Sequence, residues 1–238
     1  MTDLPQYDPR TIALVSELIH PPIQLEPGKV QGVHNELYQH PEFAYQNFGV
    51  AADGITLTNV TNAQNTQSLV RFMPDRIHIR EEFTGQHVDD FARRLEHVTR
   101  IAVERLSIPI IIAQQHVVRS LVNAKHFADS REFLAGVVCS IPPDDFARFA
   151  RPVELFGLRL LFPAVEGRND VHAIRIESYA EDARAVWIED VATFTTALMP
   201  ANLEELGNNM RKTYKFVREN VLGFLGKYDQ APKRGPEA

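Results

Sequence analysis

On either side of Pro109 the apolar rhythm of this chain shifts in the same order, from alternate residues to every third or fourth. A period of two buries one face of a strand, and a period near 3.6 buries one stripe of a helix. Each side therefore spells strand, helix, antiparallel strands and long amphipathic helix. In the first stretch, residues 12–19 form an apolar strand that stops at His20-Pro21-Pro22, because proline cannot continue a ladder. Val30, Val33, Leu37 and Tyr38 then recur at helical spacing up to Pro41. Period two returns from Phe43 to Phe83, punctuated by the hairpin dipeptide Asp53-Gly54 and the turn Pro74-Asp75. A helix over 86–106 follows, with Phe91, Leu95, Val98 and Ala102 on one side and Asp89 and Asp90 in its first turn.

The second stretch opens with a strand over 109–122 and two short helices, 131–139 and 144–150, separated by Pro142-Pro143. Strands are expected over 153–162, 171–179 and 184–194. Asn202 followed by Glu205 has the spacing of a capping box. Beyond it Leu203, Leu206, Met210, Tyr214, Val217, Val221 and Phe224 line one side of a final helix.

The expected fold is α+β, with two tandem β-α-β(3-4)-α units spanning 1–108 and 109–228 and a disordered tail over 229–238. Long amphipathic helices cover antiparallel sheets, and the two units are related by a pseudo-twofold axis. Residue identity between the halves is weak, so the repeat is one of element order. This outline resembles the TATA-binding-like and helix-grip groups, which bind through a saddle or a helix–sheet gap. Such an analogy selects no ligand.

A formal net charge of −6 and a pI near 5.8 argue against a nucleic-acid partner. No run of eighteen apolar residues occurs and the N-terminus lacks a secretion-signal layout, so no membrane association is expected. The single cysteine, Cys139, fits a reducing cytoplasm.

The segment MPDRIHIREEFTGQHVDDF, Met73 to Phe91, and the strand ending Arg119-Ser120-Leu121-Val122-Asn123 resemble a sporadically distributed family of uncharacterised bacterial proteins. The likeness covers residues 1–125 and departs from the family pattern at Val118 and Ser120. It implies a fold and a bacterial cytosolic origin, and no reaction.

The sequence contains no phosphate-binding glycine loop, no nucleophile elbow and no paired zinc-ligand motif. His34 with His40, His87 with His97, and His116 with His126 lack the spacing of metal ligands, and no cofactor is expected. Cys139 ends an apolar run and reads as a small buried hydrophobe rather than a nucleophile. Three features suggest binding instead. Arg76, His78 and Arg80 alternate with Ile77 and Ile79, which places three cationic or polar groups on one sheet face. Arg119 and Asn123, four apart on a strand, share a side, and Arg175 alternates with Ile174 and Ile176. The seam Leu206, Met210, Tyr214, Val217 and Val221 suits either self-association or burial against the chain's own sheet. The expected function is a non-enzymatic binding or assembly module, forming a homodimer or larger homo-oligomer. It would recognise a protein partner or an anionic ligand through its sheet. The alternative is a small-molecule-binding or cyclase-like enzyme with a cavity between sheet and helices.

Overall fold

A computed structural model describes residues 7–61 and 65–230. Among them, nine strands form one open antiparallel sheet: β1 (Arg10–Ile19), β2 (Asn47–Ala51), β3 (Gly54–Thr58), β4 (Gln67–Met73), β5 (Arg76–Glu82), β6 (Ala113–Asn123), β7 (Gly157–Phe162), β8 (Asp170–Tyr179) and β9 (Asp182–Phe194). Their order is β2-β3-β4-β5-β1-β6-β9-β8-β7, so the N-terminal strand lies inside the sheet between β5 and β6. The helices are α1 (Pro27–Tyr38), α2 (Val88–Leu106), α3 (Pro143–Phe146), α4 (Glu204–Phe216) and α5 (Leu222–Tyr228). π-helical turns occupy Glu132–Val138 and Val217–Val221.

Alternation along the strands divides the sheet into two faces. Ile79, Ser16, His116, Ala192 and His172 lie side by side on β5, β1, β6, β9 and β8, and all are buried. This face carries the helices: α1 packs on β2 and β3, α2 on β1 and β5, and α4 on β6 and β9. Leu14, Leu18, Ile77, Phe91, Leu95, Val98, Leu206 and Met210 fill the layer between. Each such side chain contributes about 1.5–3 kcal/mol by leaving water. Among the described residues, no helix packs on the opposite face. At the β2–β3 hairpin, Gly54 adopts φ 148°, and a Cβ there would lie 2.5 Å from the Phe72 carbonyl oxygen. Only glycine tolerates that approach.

Some local expectations are corrected. β7 begins at Gly157, not at residue 153, and the segment over 131–139 winds as a π-helix. The capping box does not form. Pro200–Asn202 is a 3₁₀ turn, and Leu203, the residue before α4, is already helical and gives no side-chain cap. Asp229, expected at the start of a disordered tail, has a fully buried side chain; residues 231–238 of that tail lie outside the described residues.

Candidate functional site

The uncovered face receives every residue picked out for binding. On β5, Ile77 and Ile79 turn to the core, so Arg76, His78 and Arg80 turn away from it. Cross-strand register carries the same parity to Arg119 and Asn123 on β6 and to Arg175 on β8.

These cations are met by carboxylates. Arg76 Nη1 lies 2.6 Å from Glu17 Oε1, and Arg76 Nη2 lies 3.0 Å from Asp75 Oδ2. His78 Nδ1 is 3.7 Å from the other Glu17 oxygen. Burial lowers the His78 pKa from its ordinary value, with Glu17 pulling the opposite way. Arg80 pairs with Glu82. Arg119 donates from Nε to Glu189 Oε2 at 2.7 Å, and its Nη1 lies 3.5 Å from Glu82 Oε1. To reach Glu82 it spans β1 above Ala13, whose methyl group leaves room for the bridge. Arg175 completes the row, 3.6 Å from Glu189 Oε1 and 2.9 Å from Glu177 Oε1, with its guanidinium over the Trp187 ring.

The outcome is a row of alternating sign, Glu82–Arg119–Glu189–Arg175, crossing β5, β1, β6, β9 and β8. One step along the strands lies an apolar row, Val15, Val117, Val191, Ala173 and Leu161, also in lateral register. Anion capture needs guanidinium groups with open valences, and here each predicted arginine already faces a carboxylate. Asn123 stands apart from the row, about 13 Å further along β6 than Arg119. It lines an open cleft of about 530 Å³ together with Tyr7, Arg10, Phe83, Lys125 and Tyr179.

The predicted self-association seam lies inside the molecule. Leu206 and Met210 are fully buried, Val217 and Val221 nearly so, and Tyr214 half-buried. Four of these five residues thus fill the chain's own core between α4, the following π-turn and the sheet. They offer no surface to a second copy.

Sequence reasoning passed over His172. Its Nδ1 lies 2.8 Å from Asp190 Oδ2 and its Nε2 2.9 Å from Asp170 Oδ2, while the ring stacks on Phe216 at 4.0 Å. Burial alone would lower its pKa, but the two carboxylates outweigh burial and raise it. Burial raises Asp190, against the pull of His172. The group borders a cleft of about 630 Å³ with Asn209, Lys212 and Phe216. Both ring nitrogens are occupied, so His172 has no free lone pair for general-base work. The available signal was Asp170-x-His172 on one strand face. Asp190, from the neighbouring strand, could be placed only by register.

Other candidates are structural. His116 is enclosed by Ser16 and Gln114, at 2.8 Å each, and burial lowers its pKa to about 3. Burial also raises the Cys139 thiol, which disfavours the reactive thiolate. Among the described residues, no three His, Cys, Asp or Glu side chains converge to hold a metal ion, and no helix is long and apolar enough to cross a membrane. The chain matches no protein-family model and no curated protein.

Proposed function

We propose that this protein is a non-enzymatic binding module that recognises a protein partner through the uncovered face of its sheet. The observation that carries the reading is the mixed-charge row Glu82–Arg119–Glu189–Arg175 running beside the apolar row Val15–Val117–Val191–Ala173. Protein surfaces combine both signs with apolar area, and paired charges fix register and exclude wrong partners more than they add affinity. A polyanion would call for unpaired cations. A reducing cytoplasm suits the lone Cys139. The succession of strand, helix, meander and helix on both sides of the β1–β6 pair supports two tandem units about a pseudo-twofold axis. On that reading the row crosses from one unit to the other.

The test compares proteins captured from cell extract by the wild-type chain, by Arg175→Glu with Val191→Asp on the uncovered face, and by Arg105→Glu on the helix side. Circular dichroism and melting temperature first establish that all three are folded. One protein retained by the wild type and the helix-side variant, and lost by the face variant, supports the reading. Capture indifferent to the face variant, or retention on heparin that falls steeply with salt, overturns it.

A further inference from the structure

We infer that a second copy of this chain pairs with strand β7 across a twofold axis through Leu160, joining two sheets into one. This interface lies at the sheet edge, so it stands or falls independently of the face proposed above.

β7 ends the sheet, and its hydrogen-bonding pattern can be read from one bond. The Ser178 N–H donates to the Phe156 carbonyl at 2.9 Å, which makes residues 156 and 178 a bonded pair. Bonded pairs alternate in antiparallel strands. Leu158, Leu160 and Phe162 therefore bond to β8, while Gly157, Arg159 and Leu161 turn their N–H and C=O groups outward. Gly157 agrees: it faces Glu177 in a close non-bonded pair, where an added Cβ would lie 2.7 Å from the Ile176 carbonyl oxygen. Among the described residues, no backbone bond outside the β7–β8 ladder reaches residues 157–162.

Edges of this kind are usually protected by proline, lysine, an inward charge or a covering loop. The sequence Gly157–Phe162, GLRLLF, holds no proline, lysine or carboxylate. Leu161 is 68% exposed and Phe162 44%. The opposite edge, β2 (NFGVA), also lacks proline, lysine and carboxylate and exposes Val50, but it is shorter and its apolar residues are interrupted by Asn47 and Gly49.

The outward groups limit the possible registers. Pairing Arg159 with Arg159 of the second copy sets two guanidinium groups face to face, and pairing Leu161 with itself brings Pro163, which has no N–H, opposite Arg159. The register centred on Leu160 keeps residues 158–162 of both copies paired and bonds Arg159 reciprocally to Leu161 of the second copy, with Pro163 falling opposite Gly157 only at its ends. One centred on Leu158 would run past Gly157 and out of the strand. The Leu160 register places Leu160 against Leu160, and Leu158 against Phe162, all on the helix side. Exposed Leu161 then lies along the aliphatic stem of Arg159. A twofold axis normal to the sheet keeps both helix layers on one side. The edge is self-complementary, and this selects a second copy rather than an unrelated strand.

Sedimentation across micromolar concentrations, wild type against Arg159→Pro, tests the pairing. The Arg159 N–H faces away from β8, so proline there removes one intermolecular donor from each chain, two per dimer, while keeping the β7–β8 ladder. The dimer dissociation constant should rise at least about tenfold with the melting temperature retained. A second measurement places Leu160→Cys in a Cys139→Ser background. Opposed residues at a non-bonded position have Cα atoms about 4.5 Å apart, within disulfide reach. Oxidation should give a covalent dimer, and the same substitution at Val50 on β2 should not. A wild-type mass of one chain, a dimer insensitive to Arg159→Pro, or no selective cross-link at position 160 overturns the inference.

Discussion

The Tyr7 hydroxyl donates a 2.7 Å hydrogen bond to Asp229 Oδ2, so the two ends of the described chain are tied together at a buried carboxylate. The backbone N–H of Lys125 donates to the same oxygen at 2.6 Å, and that of His126 to Oδ1 at 3.0 Å. Burial raises the Asp229 pKa, but these donors outweigh it and hold it below the ordinary carboxylate value. Asp229→Ala leaves two backbone donors without their acceptor and should cost about 2–4 kcal/mol, whereas Tyr7→Phe should cost about 1 kcal/mol. Urea denaturation of both variants measures the difference.

Glu189 lies between Arg119 and Arg175, and its side chain is largely buried. Removing it leaves two guanidinium groups without their shared carboxylate. Glu189→Ala should lose about 1–3 kcal/mol, while Arg175→Ala, at a more exposed end of the row, should lose less than about 1 kcal/mol. Equal losses in thermal melts would show that the row does not act as a connected unit.

Two of the buried histidines, His116 and His172, predict opposite pH responses. His116 has a native pKa of about 3, far below its unfolded value, because burial disfavours the cation. From about pH 6.5 downward the unfolded chain takes up a proton that the native chain refuses. Each pH unit of acidification should then cost up to about 1.4 kcal/mol, a slope that His116→Gln should remove. His172 is raised instead, with burial opposing Asp190 and Asp170 but outweighed by them. Its contribution is complete below about pH 6.5 and fades as pH rises through the raised native value. His172→Gln should therefore be least stable relative to wild type in mild acid, by about 3 kcal/mol. Stability curves from pH 5 to 9 separate the two responses.

Leu206→Ala should lower stability by about 2–5 kcal/mol and leave the sedimentation mass unchanged, since its side chain fills the layer beneath α4. A change of mass with little loss of stability would return the α4 seam to a role between chains.

Much of the element order was legible because local rhythm reports burial. Ile77 and Ile79 alternate against Arg76, His78 and Arg80, and Phe91, Leu95 and Val98 keep to one helical stripe; the sheet and α2 follow directly. What periodicity cannot encode is register between distant strands. The Arg119–Glu189 bond joins residues 70 positions apart, and His172 meets Asp190 only because β8 and β9 pair as they do. The arginines were recognisable as sharing a face. Glu82, on the same strand as Arg80, was within reach of that reading; neutralisation by Glu17 and Glu189 was not, because those partners lie on other strands. The α4 stripe was equally readable, but a stripe does not say which surface covers it.

Placing the N-terminal strand in mid-sheet has a consequence for synthesis. β1 leaves the ribosome long before β6, its partner about a hundred residues later, and until Ala113–Asn123 emerges one side of β1 has no native neighbour. A nascent chain halted before β6 would present that bare ladder to other nascent chains or chaperones. Once β6 emerges and pairs with β1, that side of the ladder is closed within the molecule itself.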